Sequence, residues 1–493
     1  MNEITNFGSY LNELLTLRDL DKKQFAITMN INRSLLYRFL SSEQLPDQSQ
    51  LNEISQKLNL RVSEQRKLLE SYECSLYGWE IVKGRELITD LLNNLNNKIY
   101  EKGIAYEYSF KTQIPVNENA SVIPVKNKIN VINTVLSLLD SVRQDTDIST
   151  VNMILQPNLQ DFVNILTKIL NEITAGKRDI SIKHIVRFKD TLLKKNKLHN
   201  LKILDLLLPL SFFENSYGAY YTTEKLTTDA YGTFFPNFIS IDSKTAFAFS
   251  EDYENGLLYT SQCQETIELM NEEFSKICDD CLPLFFNLQT YEKQSLYMYE
   301  YEQMVQLSSS LLHPESGFYT IPLALARKKA QEKVVPKEHA QILIKRIETF
   351  CERVEKSKAL EIISIKGLRN FAATGQPLIL RNIKFSKSER IETLKNLLRF
   401  VKEKENYTLY LMKEDNPFYD SDFAVKTIGN QLLYIVPSYT DFKITNNIII
   451  RNEGIVESFT DFLHSGFTTQ NCIIDRSEVA SFISDIIKTI ESN

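Results

Sequence analysis

Apolar positions recur at helical spacing along the first seventy residues. Further on, past about residue 175, stretches of period-two alternation appear between helical ones. Phe7, Leu11, Leu14 and Leu15 form a helical stripe that ends near Arg18. Asp21 opens a second helix. Its carboxylate is an N-cap acceptor, Gln24 completes a capping-box pattern, and Phe25 and Ala26 begin the buried side. Met29, Asn30 and Ile31 read as a tight turn in which Asn30 takes the left-handed conformation that usually demands Gly. Asn32 caps a third helix, Arg33 to Leu40, with Leu36 and Phe39 turned to the core. A fourth runs from Pro46 to Leu58 on a stripe of Leu51, Ile54 and Leu58, and Ser63 caps a fifth that carries Leu68 and Leu69.

Residues 71–84, with the only tryptophan, Trp79, read as a connector. Leu87, Ile88, Leu91, Leu92, Leu95 and Ile99 then form an amphipathic helix, and further helices are expected at about 127–143 and 158–174, so 85–175 reads as a helical region. Ile180, Ile182, Val186 and Phe188 alternate with Ser181, Lys183, Arg187 and Lys189, the signature of a strand. Apolar runs at 238–241 and 246–249 flank a polar turn and read as a hairpin, and Asn255-Gly256 marks another turn before Leu257. A helix follows from about Ser261 to Cys278. Strands at about 359–365, 406–412, 431–436 and 446–450 surround helices at 337–356 and 387–403. Two amphipathic helices close the chain, one around Ile455, Phe459, Phe462 and Leu463 and one around Val479, Phe482, Ile483, Ile486 and Ile490. The pattern therefore predicts an α+β multidomain chain: an all-α five-helix segment at 1–70, then a large mixed α/β body with one lobe at 176–355 and a second at 356–493. No 34-residue helical repeat is present.

Composition narrows this little. The 493 residues suffice for two to four domains, and 43% apolar with 24% charged residues is ordinary for a globular chain. A formal charge of −6 excludes a uniformly basic nucleic-acid binder but not a small reading module on an acidic body. Six scattered cysteines suggest no disulfide scaffold, no secretory signal is visible, and no apolar run approaches the roughly eighteen residues of a membrane span. A cytoplasmic protein that makes no membrane contact is expected.

The segment FGSYLNELLTLRDLDKKQFAITMNINRSLLYRFLSSEQLPDQSQLNEISQKLNL resembles the phage-repressor and Cro type of helix-turn-helix DNA-binding domain. Ala26, Arg33, Ser34, Pro46 and Leu51 match that pattern. Asn30 replaces the usual turn Gly, and Ser41-Ser42 replaces a common Gly-containing end of helix three. The resemblance covers about residues 5–70 and implies a helix-turn-helix domain whose third helix reads double-stranded DNA in the major groove. Arg33 suits a bidentate contact to guanine, Ser34 donates or accepts, and Leu35 suits a thymine methyl. Asn32 begins the same helix, and Tyr37 and Arg38 lie further along it. Lys22 and Lys23 sit where helix two offers free N–H groups to a phosphate. Residues 1–70 hold nine Lys and Arg against nine Asp and Glu, so the footprint comes from Lys22 to Arg38, where four basic residues meet no acidic one. A neutral module makes few phosphate contacts. A homodimer reading an inverted-repeat operator is therefore expected.

No Gly-rich phosphate loop, zinc-protease motif or nucleophile elbow occurs in the chain, so no enzyme and no cofactor is expected. Cys278 and Cys281 form a lone C-x-x-C without a second ligand pair, and the five histidines accompany no recognisable nucleophile. From Lys177 to Lys202 nine basic residues stand against two acidic ones. Lys183, Arg187 and Lys189 share one face of the expected strand. They read either as a charged edge strand followed by a solvated helix or as a site for an anionic ligand or an auxiliary DNA contact. The leading reading is a dimeric, sequence-specific transcription regulator whose body dimerises and senses a small-molecule or peptide effector. The alternatives are an enzyme or defence-type effector fused to a DNA-targeting domain, and a protein-interaction scaffold.

Overall fold

Six helices open the chain in the computed structural model. They are α1 (Phe7–Leu17), α2 (Lys22–Thr28), α3 (Arg33–Leu40), α4 (Gln48–Lys57), α5 (Val62–Tyr77) and α6 (Trp79–Asn96). The structure describes residues 6–96, 121–145, 147–156, 166–172, 179–190, 194–213, 216–223, 235–286, 291–313, 318–332, 336–377, 383–421, 423–436, 447–466 and 471–492. The chain is an α+β protein of two compact units, Met1–Leu87 and Ile88–Asn493, with the boundary inside α6.

In the first unit Asn6, Asp21, Asn32 and Asp47 cap the first four helices through side-chain oxygens. Two details correct the sequence reading. The fifth helix is capped at Arg61 and not at Ser63, because the Glu64 carboxylate accepts from the Arg61 N–H at 2.9 Å and fixes the turn two residues earlier. The connector expected at 71–84 is helical apart from Gly78, whose φ of 94° breaks the chain direction between α5 and α6. The unit's core joins Phe7, Leu11, Leu14, Phe25, Ala26, Leu36, Phe39, Leu51, Ile54 and Leu68.

The second unit holds two eight-stranded sheets. In chain order its elements are β1 (Val122–Lys126), α7 (Lys128–Gln144), β2 (Thr150–Ile154), β3 (Ser181–Phe188), α8 (Lys194–Leu207), β4 (Tyr217–Thr223), β5 (Asn237–Ile241), β6 (Thr245–Phe249), β7 (Asn255–Tyr259), α9 (Gln264–Asp280), β8 (Leu282–Pro283), β9 (Phe285–Phe286), α10 (Tyr291–Glu302), β10 (Ser309–Leu312), α11 (Leu323–Gln331), α12 (Lys337–Lys356), β11 (Ala359–Ser364), α13 (Ile365–Thr374), α14 (Lys387–Glu403), β12 (Tyr407–Met412), β13 (Ala424–Ile428), β14 (Leu432–Val436), β15 (Asn447–Ile450), α15 (Glu453–Asp461), β16 (Cys472–Ile473) and α16 (Arg476–Ser492). The segment read as helical at 85–175 thus contains two strands. Pro124 in β1 and polar Asn152 in β2 hide them from a periodicity reading, and β1 takes its proline as the outermost strand of its sheet. Residues 166–172 are helical; the earlier part of the helix expected at 158–174 lies outside the described residues.

The sheets run β1-β7-β6-β5-β2-β3-β4-β8 and β9-β15-β14-β13-β10-β11-β12-β16. Strand for strand they repeat one another. Three parallel strands (β2-β3-β4, then β10-β11-β12) are followed by an antiparallel meander added beside the first of them. The likeness extends to single residues. The β5–β6 turn has Asp242 at φ 47° and the β13–β14 turn has Gly429 at φ 54°. Each of these residues donates its N–H to the chain at the start of the first parallel strand, Asp242 to Thr150 O at 2.9 Å and Gly429 to Ser308 O at 2.7 Å. The lobes therefore divide near residue 284 and not at 355, since strand pairing, not helix content, sets the border.

One bent segment pairs into both sheets. Residues 282–283 pair with β4 and residues 285–286 with β15, and the buried Leu284 between them donates to Ala219 O and accepts from Ile449 N. Around the second sheet α12, α14 and α16 bury Leu343, Phe350, Leu397, Phe400, Ile483 and Ile487 against β11 and β12. Among the described residues no helix is long and apolar enough to cross a membrane.

Candidate nucleic-acid interface

In the first unit α2 and α3 are separated by four residues whose geometry is set locally. Asn30 adopts φ 51°, and the N–H of Ile31 returns to Ala26 O at 3.0 Å. The Asp21 carboxylate accepts from the N–H groups of Lys23 and Gln24, and Asn32 Oδ1 accepts from Leu35 N at 2.7 Å. Both helix starts are thereby satisfied, and α3 begins at a defined residue.

Leu36 and Phe39 anchor α3 in the core. Arg33, Ser34, Tyr37 and Arg38 are exposed, Tyr37 to 51%, and lie along the opposite side. Lys23 is exposed beside them in sequence at the start of α2, and the half-buried Lys22 ammonium lies 6.0 Å from the centre of the Tyr37 ring. Lys22 and Tyr37 thus bring the start of α2 and the middle of α3 to one surface. Two expected site residues have other work. The Asn32 side-chain oxygen is taken by the cap, and Leu35 is half-buried and packs on the core. Ile27, 68% exposed on α2, adds an apolar group to the exterior that the sequence reading did not single out.

The far end of α3 is held just as closely. Ser42, at φ 59°, accepts from Gly8 N at 2.9 Å and donates to Asn6 Oδ1 at 3.3 Å, which ties the end of α3 to the start of α1. This is the place where Ser41-Ser42 departs from the repressor pattern, and Ser42 supplies both the left-handed residue and the link. Gly8 permits the approach: a Cβ there would lie 2.3 Å from Leu40 O.

The basic stretch of the body does not form one charged face. β3 pairs with β2 on one side and β4 on the other, so it is an interior strand, which overturns the edge-strand reading. Lys183 is half-buried near Cys278. The Arg187 guanidinium donates to Pro236 O and Asn237 Oδ1 at 3.3 and 3.4 Å. The main chain of Lys189 is bracketed by the Asn200 amide, at 2.8 and 2.9 Å. Lys197 pairs with Glu457. Lys177 and Arg178 lie outside the described residues.

The remaining candidates for chemistry are interior groups. Cys278 and Cys281 are buried free thiols, and burial pushes Cys281 up to about 12, so neither has the thiolate character of a reactive cysteine. Among the described residues no three His, Cys, Asp or Glu side chains converge as a metal site. The two repeats do carry matching buried pairs. Ile182 faces Tyr217 and Ala359 faces Tyr407 across their ladders, and two residues further along stand His184 and Glu361. His184 Nε2 donates to Leu155 O at 2.8 Å, so its Nδ1 accepts from the Tyr217 hydroxyl at 2.7 Å; Glu361 accepts from the Tyr407 hydroxyl.

No family model matches the chain, and no curated protein matches it. Among solved structures it is similar to a phosphatidylserine synthase of Haemophilus influenzae Rd KW20, at 9% identity and a TM-score of 0.25 over 76% of this chain and 92% of that one. It is similar to the archaeal chromatin protein TrmBL2 at 14% identity and a TM-score of 0.21, over 51% and 83%. A polyphosphate kinase of Porphyromonas gingivalis gives 9% identity and a TM-score of 0.21, over 78% and 57%. Likenesses at this level carry no information on what the chain does.

Proposed function

We propose that this chain is a sequence-specific DNA-binding transcription regulator, not an enzyme, acting in the cytoplasm and reading double-stranded DNA through α3. The observation that carries this reading is the division of α3 into a buried Leu36–Phe39 side and an exposed side of Arg33, Ser34, Tyr37 and Arg38. A helix held at both ends, with two guanidinium groups outward, has the shape and chemistry to enter a major groove. Lys22 and Lys23 stand at the start of α2, where they suit the phosphate backbone. Because the first seventy residues carry balanced charge, two copies joined by their bodies would read an inverted repeat.

In-vitro selection of bound duplexes with the full chain tests this, and an inverted repeat is the expected product. Arg33→Ala is expected to cost about 1–3 kcal/mol and to relax preference at one position of each half-site. Lys23→Ala is expected to weaken all sequences evenly and flatten the salt dependence. No enrichment of any sequence, or an unchanged preference in Arg33→Ala, would remove the basis for the reading.

A further inference from the structure

On the second repeat, a groove of about 600 Å³ opens between α12, α14 and the segment 321–324. Its volume lies in the range of pockets that take small organic ligands. Pro322, Leu323, Ala324 and Cys351 supply apolar surface, over the buried Ile321 and Phe400. Charge is arranged along it by helical spacing. Glu392, Lys395, Asn396 and Arg399 fall at i, i+3, i+4 and i+7 on α14, and all four line the groove.

These charges differ in their engagement. Lys395 is paired with Glu491 at 2.9 Å, and Lys404 is paired with Glu355. The Asn396 amide donates to Thr320 O at 2.7 Å, which fixes the side chain and leaves its oxygen to accept. Among the described residues the side chains of Glu392 and Arg399 form no hydrogen bond or ion pair. One carboxylate and one guanidinium thus stand seven residues or about 10 Å apart along the helix, with Lys395 and Asn396 between them on α14 and Leu323, Ala324 and Cys351 lining the groove from the other segments.

We propose that this groove binds a short apolar peptide with free termini, its ammonium end at Glu392 and its carboxylate at Arg399. An extended chain rises roughly 3.3–3.6 Å per residue, so about three residues span the two charges. A guanidinium matches a carboxylate in two parallel hydrogen bonds, which makes the Arg399 end the more selective. Apolar side chains of the peptide would cover Leu323 and Cys351. The binding site is independent of the DNA reading, and either stands if the other fails.

The test is isothermal titration of the full chain with Leu-Leu-Leu, run beside the same peptide acetylated and amidated at its ends. The free peptide is expected to bind, and the blocked one to bind about tenfold more weakly or worse. Arg399→Ala and Glu392→Ala are each expected to weaken the free peptide by about tenfold with no change in the thermal melt. Ala324→Trp, which leaves every charge in place and fills the groove, is expected to abolish binding. The proposal is overturned by absence of binding, by equal affinity for free and blocked peptides, or by wild-type affinity in Ala324→Trp.

Discussion

Burial holds the His184 imidazole at about 4, well below the ordinary value for histidine. The unfolded chain therefore takes up a proton at this position first as the pH falls. Stability present above about pH 6.5 is lost on the way down to 4, by about 3 kcal/mol. Asp205 acts in the opposite sense. Burial, and then the neighbouring Asp90, raise its carboxyl to about 6. The folded chain keeps a proton that the unfolded one sheds, so stability present below about pH 4 is lost as the pH rises through 6. Asp205→Asn should raise the melting temperature at pH 7, by about 1–3 kcal/mol of stability after solvent screening, and leave it unchanged at pH 4. A third interior group is coupled to cations. Burial alone would raise the Glu302 carboxyl, but Arg346 and Lys426 outweigh it and hold the group at about 2. Tyr319 also donates to Glu302, and Arg346 grips it at 2.8 and 2.9 Å. Glu302→Gln leaves two buried cations facing a neutral amide, and urea unfolding should show a loss of about 3–5 kcal/mol.

Between elements, the crossing of α1 on the end of α3 is open to disruption by a single change. Gly8→Ala puts a methyl group 2.3 Å from a backbone oxygen that cannot swing away. A loss on the order of 1–3 kcal/mol is expected in thermal unfolding, together with weaker DNA binding, because the helix that moves is the one bearing Arg33. How far elements could be read from sequence follows from what each residue does. α12 and α14 appear at the expected 337–356 and 387–403, and the Ser386–Glu389 capping box marks the start of the second. β13 escaped notice because Lys426 and Thr427 interrupt its apolar run. Both are buried, and Lys426 is tolerated there because Glu302 lies against it. The exposed side of α3 was legible because four residues settle it locally. The half-burial of Leu35 on the core was not legible, because it depends on tertiary packing. The groove on α14 could not be seen at all, since it joins three segments that only the fold brings together.

At the scale of the whole molecule the repeat is a feature of backbone topology that few side chains share. The same turn position is Asp242 in one half and Gly429 in the other, and the buried tyrosine at one shared position hydrogen-bonds to His184 in one and to Glu361 in the other. Pattern searches compare side chains, whereas the halves share backbone pairing.

The bent segment 282–286 gives the order of synthesis a physical meaning. As the chain emerges, residues 282–283 find β4 already made, but residues 285–286 must wait for 447–448. Until then Phe285 and Phe286 belong to an unpaired strand at the edge of a finished sheet, the kind of surface on which chains stick to one another. A chain stopped at Phe286 should accordingly appear as multimers in size-exclusion chromatography, and Phe285→Pro in that fragment should return it to monomers by removing a donor from the open edge. The segment that unites the finished halves is, during translation, the interval in which the nascent protein is most in need of a chaperone.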